Sequence, residues 1–405
     1  HCMNPLATRN SLPNLRHLLA ALEVQRLGNI TSAANHIHLS QSAVTQGLAK
    51  LERELDLSLF ERSVNGLYVT EAGEIFLQRA ERALTWIKAM EGLFASQSRS
   101  KKPRQLLRLL TTSQLRALMS VVEYGSYTLA AHHLKLTQPT VHRAVKGMEN
   151  LCEQRFFQRS PAGVEPSWQA RQLARYASLF FAELSQGLEE VNEFKGQMVG
   201  SLRVGSLPLA RTRMVPHAVT LLLKEFSQTQ VSIIDGPYEE QLHNLLHGQL
   251  DVIVGALRYP APSPDIVQEL LFNDPLHVVV RPDHPLMKQR KVSVKALREL
   301  DWIAPRENTP AREAFAHFFT NEGLQPPERV IECSSLVAIR GLLLESHRAA
   351  LLPAQQVEVE VSNGLLAISP WQLAGTGRDI GLTLRKQWKP TRVQARFLQL
   401  LRTYN

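Results

Sequence analysis

Apolar positions in the first half of the chain recur every three to four residues, in two series of segments that share one pattern. This spacing predicts three short helices in each series, followed by a short extended stretch around a glycine and then a long helix. The predicted helices are Leu15–Leu27, Thr31–His38, Gln41 to about Leu55 and Glu71–Ala95 in the first series, and Leu115–Tyr124, Thr128–Lys135, Gln138 to about Leu151 and Gln169–Phe194 in the second.

A shift of 97 residues superimposes the two series without a gap. The matched pairs include Gly28 and Gly125, Ala33 and Ala130, Gln41 and Gln138, Glu52 and Glu149, Phe60 and Phe157, Arg62 and Arg159, and Gly66 and Gly163. A register that persists over some forty positions indicates one module that has been duplicated. We expect the modules to span residues 12–96 and 109–197, with a basic linker over residues 97–108.

In each module a tight turn joins two short helices, and its sequence is Leu39-Ser40-Gln41 in the first module and Leu136-Thr137-Gln138 in the second. The preceding helices are expected to open on the hydroxyls of Thr31 and Thr128, and the following helices on the hydroxyls of Ser40 and Thr137. Two helices in this arrangement, the second beginning with exposed polar residues, are typical of a helix-turn-helix that enters the major groove of DNA. The predicted helices alone are also compatible with a small packing module that does not contact DNA.

From Gly200 the pattern changes to short apolar runs that alternate with helical stretches, which predicts βαβ units and a largely parallel sheet. The predicted strands are Leu202–Ser206, Val231–Asp235, Asp251–Gly255, His277–Val280, Trp302–Ala304, Arg329–Cys333, Ala349–Leu352 and Asp379–Leu384. The predicted helices are Thr212–Gln228, Tyr238–His247, Pro310–Glu322, Leu336–Glu345 and Thr391–Tyr404. Residues 198–405 are therefore expected to form a separate α/β domain of two lobes.

Composition changes this picture only slightly. The net charge is +9, and the basic excess is larger in the first half of the chain, which is compatible with a polyanionic partner. Three cysteines without a pairing pattern favour a reducing compartment. No apolar run approaches the roughly 18 residues that cross a bilayer, and the chain does not begin like a secretory signal. A cytoplasmic location without membrane contact is expected.

The motifs of the first module resemble those of the LysR-type transcriptional regulators. The resemblance is carried by Gly28-Asn29-Ile30-Thr31-Ser32-Ala33-Ala34, Leu39-Ser40-Gln41-Ser42-Ala43-Val44-Thr45, Leu59-Phe60-Glu61-Arg62 and Thr70-Glu71-Ala72-Gly73. The second module keeps Gly125-Ser126-Tyr127-Thr128-Leu129-Ala130-Ala131, Leu136-Thr137-Gln138-Pro139-Thr140-Val141 and Phe156-Phe157-Gln158-Arg159. The resemblance implies two all-α winged helix-turn-helix modules with long linker helices. A tandem pair departs from the single module of most members.

The resemblance also implies which side chains touch double-stranded DNA. In the first module they are Ser40, Gln41, Ser42, Thr45 and Gln46 for phosphates or base edges, and Lys50 and Arg62 for phosphates. In the second module they are Thr137, Gln138, Pro139, His142 and Arg143, with Lys146 and Arg159 for phosphates. Whether the second module reads DNA or serves as a structural spacer stays open, because its wing carries Glu165 and it lacks the Thr-Glu-Ala-Gly motif.

The two long helices and the linker between the modules have two interpretations each. An apolar stripe follows the second long helix through Leu173, Ala177, Phe180, Phe181, Leu184, Leu188 and Val191. We expect this stripe to form a dimer interface, and packing within the same chain is the alternative. The basic segment Ser96–Arg104 is interpreted as a solvated joint, with phosphate contact as the alternative.

The C-terminal half resembles the effector domain of the same family, which shares the two-lobed architecture of type-2 periplasmic binding proteins. The resemblance implies a small-molecule effector in a cleft at the carboxyl ends of the strands, against helix N-termini that attract anions. The candidate effector-binding residues are Ser206, Pro208, Arg211, Tyr238, Arg258, Thr309, Ser334 and Ser335. Arg211 and Arg258 would neutralise a carboxylate, so an organic acid is expected. Cys333 is interpreted as a core residue rather than a redox sensor.

An enzyme is the main rival class, since similar two-lobed folds host chemistry. The sequence has no Gly-rich phosphate loop, no Cys/His metal spacing and no nucleophile elbow, so neither catalysis nor a cofactor or metal is expected. The expected partners are double-stranded DNA, the effector and a further copy of the chain in a homodimer or homotetramer. Contact with RNA polymerase stays open.

Overall fold

The computed structural model describes residues 13–64, 66–95, 106–197, 200–371 and 373–404. The chain divides into two compact units, one formed by residues 1–200 with residues 247–249 and the other by residues 201–246 and 250–405. The basic segment Ser96–Arg104 lies outside the described residues, as does Asn65 at the tip of the first wing.

The first unit contains the two predicted modules. The first module consists of α1 (Leu15–Leu27), α2 (Ile30–Ile37), α3 (Gln41–Leu55), β1 (Phe60–Ser63), β2 (Gly66–Val69) and α4 (Glu71–Ala95). After the short α5 (Leu106–Leu109), the second consists of α6 (Thr112–Tyr124), α7 (Tyr127–Leu134), α8 (Gln138–Cys152), β3 (Phe157–Ser160), β4 (Gly163–Pro166) and α9 (Trp168–Phe194). Each wing is a two-stranded antiparallel ribbon. We call α3 and α8 the recognition helices, and α4 and α9 the linker helices.

The helix caps differ in part from the prediction. The second helices begin one residue before Thr31 and Thr128, and their caps are Asn29, which accepts from the backbone N–H of Ser32 at 2.7 Å, and Ser126. Ser40 caps its recognition helix as expected, through the N–H of Ala43 at 3.1 Å. Thr137 makes no such bond, because its hydroxyl lies 2.7 Å from the hydroxyl of Thr140.

The repeated glycines meet across each module. Gly28 and Gly125 end the first helices in the left-handed conformation, and Gly66 and Gly163 occupy φ values of +138° and +133° in the wings. In the second module the backbone N–H of Val164 donates to the carbonyl oxygen of Gly125 at 2.8 Å. A Cβ at Gly163 would lie 2.3 Å from that oxygen, so the wing can approach the first helix only because no side chain is present.

Gly163→Ala is expected to lower the free energy of unfolding of the first unit by more than about 1–3 kcal/mol, which is the cost of the strained φ value alone. Gly66→Ala is the matched control, because it carries a similar φ strain while its nearest neighbouring atom would be 3.9 Å away. Thermal unfolding of both full-length variants measures the difference. Equal midpoints would show that the close approach at Gly163 does not constrain the wing.

The linker helices pack against each other inside the chain. The predicted stripe residues Leu173, Ala177, Phe180, Phe181, Leu184 and Val191 of α9 are buried, and Leu188 packs beside them. They share one hydrophobic core with Phe76, Ala80 and Ile87 of α4. The stripe that was expected to face a second chain is therefore covered by the first module's own linker helix, since an apolar stripe does not reveal whose helix covers it.

A charged cluster lies in this interface. The guanidinium of Arg79, only 1% exposed, pairs with Glu190 at 2.6 Å and with Glu183 at 3.0 Å. The more exposed Arg82 also reaches Glu183, at 3.1 Å. Burial opposes the charge of Arg79, but hydrogen bonding and attraction from Glu190 and Glu183 outweigh burial and raise the pKa of Arg79. The arginine is thus held charged between two helices that are a hundred residues apart in sequence.

The second unit is an α/β domain with two five-stranded sheets. Its strands are β5 (Ser201–Ser206), β6 (Gln230–Ile234), β7 (Val252–Ala256), β8 (Ile266–Asp274), β9 (Leu276–Val280), β10 (Trp302–Ala304), β11 (Val330–Glu332), β12 (Ala349–Pro353), β13 (Ala367–Ile368) and β14 (Arg378–Arg385). The sheet orders are β6-β5-β7-β14-β8 and β11-β10-β12-β9-β13. The α-helices are α10 (Pro208–Thr212), α11 (Met214–Glu225), α12 (Tyr238–Leu246), α13 (Val294–Arg298), α14 (Pro310–Thr320), α15 (Leu336–Leu344), α16 (Glu358–Ser362) and α17 (Arg392–Arg402).

The sheets are mixed rather than largely parallel. Strands β6, β5 and β7 run parallel, as do β11, β10 and β12, but β14 is antiparallel to both β7 and β8, and β9 is antiparallel to β12 and β13. The nine-residue strand β8 was not predicted, because its buried and exposed positions do not alternate. The predicted helix Thr212–Gln228 is interrupted at Arg213, which leaves the helical conformation.

None of the helices in the described ranges is both long enough and apolar enough to cross a membrane.

Candidate nucleic-acid interface and ligand cavity

The first recognition helix buries one face and exposes the other. Val44, Leu48 and Leu51 pack into the module core. The opposite face and the adjoining wing strand expose every residue predicted to touch DNA, namely Ser40, Gln41, Ser42, Thr45, Gln46, Lys50 and Arg62. Amphipathic spacing therefore brings the predicted residues of the helix onto its exposed face.

Local hydrogen bonds engage some of the polar side chains on that surface. The hydroxyl of Ser40 is engaged with its helix cap, and the hydroxyl of Thr45 donates to the carbonyl oxygen of Gln41 at 2.9 Å. The amide side chains of Gln41 and Gln46 are exposed. These amides are the groups best suited to base edges, where glutamine pairs with adenine.

The second recognition helix repeats the arrangement. Val141, Val145 and Met148 are buried, and the predicted residues Thr137, Gln138, Pro139, His142, Arg143, Lys146 and Arg159 are all exposed. The ring of His142 lies against Tyr127, with centroids 5.2 Å apart, and Lys146 pairs with Glu149 at 3.0 Å. Gln138 and Arg143 present the long polar side chains at the positions that Gln41 and Gln46 occupy in the first module.

Glu52 and Glu149 have a structural role that the sequence did not reveal. The carboxylate of Glu52 accepts from the backbone N–H of Leu59 at 2.7 Å, and that of Glu149 accepts from the N–H of Phe156 at the same distance. Each carboxylate thereby fixes the wing to its recognition helix. In the second module, burial and the nearby Glu149 raise the pKa of Tyr127 to about 12, so that phenol stays neutral.

The second unit contains a cavity of about 570 Å³, within the range of sites that hold small molecules. It lies at the carboxyl ends of β5, β6, β7, β10 and β11, where ligands bind in open α/β sheets. The first residues of α12, α14 and α15 also line it. Their free N–H groups give this side of the cavity a positive potential.

All predicted effector residues except Ser206 line this cavity. They are Pro208, Arg211, Tyr238, Arg258, Thr309, Ser334 and Ser335. Thr309 and Ser335 also cap α14 and α15, by accepting from the N–H groups of Arg312 and Ala338. Ser206 is fully buried in β5, and its carbonyl oxygen accepts from Arg211 and Gln241. Ser206 therefore supports the wall through Arg211 rather than forming it.

Arg258 is fixed at the cavity wall by its neighbours. Its guanidinium carbon lies 4.1 Å from the centre of the Tyr238 ring, and one terminal nitrogen donates to the carbonyl oxygen of Asn308 at 2.6 Å. Burial lowers the pKa of Arg258, although Tyr238 and Glu239 oppose that shift. The Nε of Arg258 and the hydroxyl of Tyr238 are buried without a hydrogen-bond partner among the described residues.

Arg378 is a cavity residue that the sequence analysis missed. It begins β14, is 9% exposed and pairs with Asp274 at 3.3 Å. Burial lowers the pKa of Arg378, against the attraction of Asp274, and its Nε also lacks a partner in the described part of the chain. The pairing of β14 with β8 places Arg378 opposite Asp274, and the sequence pattern does not predict β8.

Cys333 lies at the cavity wall, half-buried, where its thiol is 3.7 Å from the carbonyl oxygen of Ser335. It packs against the core on one side, so the expected core position is only partly correct. Four arginines but only one carboxylate, Asp235, belong to the cavity lining. Within the described residues, no group of three or more His, Cys, Asp or Glu side chains could hold a metal ion.

Two family models match the chain. The model of the bacterial regulatory helix-turn-helix protein, lysR family, matches residues 15–74 and again residues 112–171. The model of the LysR substrate binding domain matches residues 195–405. The duplicated module and the cavity-bearing unit each therefore correspond to a recognised part of one family.

Relatives and solved structures agree with these matches. The HTH-type transcriptional regulator GalR of Pseudomonas putida is 32% identical over 374 residues, covering 92% of this chain and 93% of the relative, so the similarity includes both modules. PcaQ of Agrobacterium fabrum is 26% identical and covers 71% of this chain and 93% of its own. Structures of an OxyR variant from Pseudomonas aeruginosa and of CbnR align with TM-scores of 0.55 and 0.51, at 21% and 20% identity, over 72% of this chain and 93% and 98% of theirs. The chain belongs to the LysR family of bacterial transcription regulators, with an effector-binding domain and a duplicated helix-turn-helix module.

Proposed function

We propose that the cavity binds a small organic acid, aromatic or aliphatic, and that the bound acid controls DNA binding or transcription activation by the two winged-helix modules. The observation that carries this proposal is the pair of buried Nε atoms of Arg258 and Arg378, which have no hydrogen-bond partner among the described residues. Both line one cavity, beside the unpartnered hydroxyl of Tyr238.

A carboxylate is the ligand group that these side chains would accept best. A buried donor without a partner costs roughly 1–3 kcal/mol, and more for a charged group, which a bound acceptor would recover. Burial lowers the pKa of Arg211, Arg258 and Arg378, which means that the surroundings of each side chain disfavour its charged form. An anion would supply that compensation, and guanidinium groups bind carboxylates through paired hydrogen bonds.

The remaining wall of the cavity suits the apolar part of such an acid. Leu207, Leu276, Ile303 and Leu352 contribute aliphatic surface beside the arginines. Burying apolar ligand surface there contributes roughly 25 cal/mol per Å². A carboxylate on a compact hydrocarbon or aromatic body therefore fits both the charged and the apolar parts of the lining.

We further propose that both recognition helices read DNA, with Gln41 and Gln46 in one module and Gln138, His142 and Arg143 in the other. Exposure of the whole predicted set in each module supports this assignment. Lys50, Arg62, Lys146 and Arg159 would neutralise phosphates, which makes binding depend on salt. The regulator would act in the cytoplasm as a homodimer or homotetramer, with RNA polymerase as a further candidate partner.

The effector proposal is tested by thermal unfolding of the full-length protein in the presence of benzoate, hydroxybenzoates or succinate, each compared with its amide. A ligand at one hundred times its Kd stabilises the folded state by about 2.7 kcal/mol. We expect at least one acid to raise the unfolding midpoint and its amide to have no effect. Equal shifts for acids and amides, or none with any acid, would contradict the proposed carboxylate site.

A further inference from the structure

The two linker helices are equivalent elements of the repeat, and they run antiparallel in their contact. Near its start, α4 places Phe76 and Arg79 against Gly187, far along α9. Further along α4, the ring of Trp86 stacks on that of Tyr176, near the start of α9, with centroids 5.8 Å apart and planes 24° apart. Later positions on α4 thus contact earlier positions on α9, as in an antiparallel pair of helices.

The same contact occurs twice, with the two modules exchanging roles. Under the 97-residue shift, Arg79 corresponds to Tyr176, and Trp86 corresponds to Glu183. Arg79 pairs with Glu183, while Trp86 stacks on Tyr176. When position i of one partner contacts position j of the other, and position j of the first also contacts position i of the second, the two partners are related by a two-fold axis. The two modules of one chain are therefore related by an internal two-fold axis across their linker helices.

The chemistry of this interface favours unlike partners. If two first modules met in the same way, Arg79 would face Trp86 and Leu93 instead of its carboxylates Glu183 and Glu190. Met90 would also replace Gly187, where even a Cβ would lie 2.8 Å from the Cβ of Arg79. If two second modules met, Glu183 and Glu190 would lose their arginine. A buried charge without its partner costs several kcal/mol, so the first module selects the second.

We propose that a single chain forms a complete two-fold DNA reader, which recognises an inverted pair of half-sites with unlike sequences. Two readers related by a two-fold axis match a duplex whose half-sites point in opposite directions, about one helical turn or a multiple of it apart. This inference rests on the proposal that both recognition helices read DNA. A single chain thereby does what otherwise requires two identical chains.

The half-sites are unlike because the readers are unlike. At equivalent positions the first recognition helix exposes Gln41, Thr45 and Gln46, and the second exposes Gln138, His142 and Arg143. Glutamine pairs with adenine and arginine with the O6 and N7 of guanine. The half-site under the second module therefore contains a guanine contact that the half-site under the first module lacks.

The test maps base contacts of the full-length protein on the promoter region of its own gene, by hydroxyl-radical footprinting and base-removal interference. The two variants are Gln41→Ala with Thr45→Ala and Gln46→Ala, and Gln138→Ala with His142→Ala and Arg143→Ala. All six side chains are exposed, so both variants should fold, and their unfolding midpoints check this. Lys88→Ala, on the exposed face of a linker helix, is the control for loss of one positive charge.

We expect each variant to lose one half-site of every inverted pair, the two variants losing opposite halves. Loss of both halves of the same pair in one variant would overturn the proposal, because the pair would then be read by equivalent modules of two chains. An unchanged map for the second variant would also overturn it, leaving the first module as the reader. Absence of sequence-specific contacts in the unaltered protein would instead refute DNA reading at these helices.

Discussion

Replacing Arg79 by methionine is expected to destabilise the paired linker helices by about 3–5 kcal/mol. The side chain is 1% exposed and lies between Glu183 and Glu190, which are 8% and 22% exposed. Without the guanidinium, two carboxylates remain close together in the interface with little water. Hydrogen-exchange mass spectrometry on peptides from Glu71–Ala95 and Trp168–Phe194 in the full-length protein measures the loss as faster exchange.

Two further variants separate the buried charge from its packing. Arg82→Met is the control, because this arginine reaches the same Glu183 but is 35% exposed, and exposed pairs contribute about 0–1 kcal/mol. Changing Arg79, Glu183 and Glu190 together to methionine should recover most of the stability, since it removes the buried charges together and the remaining Arg82 is 35% exposed. If Arg79→Met changed exchange no more than Arg82→Met, the described contact between the linker helices would be wrong.

The second large effect is expected at the cavity. Arg258→Gln should weaken binding of whichever carboxylate stabilises the protein by about 1.5–3 kcal/mol, the contribution of a hydrogen bond to a charged group. That loss corresponds to roughly a 10- to 150-fold rise in Kd. Isothermal titration calorimetry with the unaltered protein and the variant gives the ratio directly.

Arg396→Gln is the matched control for Arg258→Gln. Arg396 belongs to the same unit but is partly exposed, pairs with Glu225 at 2.6 Å and does not line the cavity. We expect this control to bind the acid as the unaltered protein does. Unchanged affinity in Arg258→Gln, together with an unchanged unfolding midpoint without ligand, would remove Arg258 from the site and leave Arg378 as the remaining buried candidate.

The repeat allowed the first unit to be predicted in most of its elements. Because polar and apolar positions alternate at helical spacing, the same pattern that predicts α3 and α8 also assigns Gln41 and Arg143 to their exposed faces. The apolar pattern did not predict how the linker helices pack. The stripe around Phe180 shows that something covers it, but a stripe carries no information on whether the covering helix belongs to the same chain.

Long-range charge and strand pairing set the other limits. A single arginine on a helix, such as Arg79, is normally solvated, and only the folded chain brings Glu183 and Glu190 to it. Arg378 was missed for a similar reason, since its place depends on the antiparallel pairing of β14 with the unpredicted β8. The cavity residues that follow parallel strands, such as Arg258 and Tyr238, were predictable because strand ends meet at one edge of a sheet.

Whether one chain carries both halves of a DNA reader can be determined by counting the half-sites that each chain contacts. Native mass spectrometry of the full-length protein on a duplex that carries its whole footprint gives the number of chains. Interference mapping on the same duplex gives the number of contacted half-sites. We expect two contacted half-sites for every chain, whatever the oligomeric state, and one half-site per chain would show that a single chain is not a complete DNA reader.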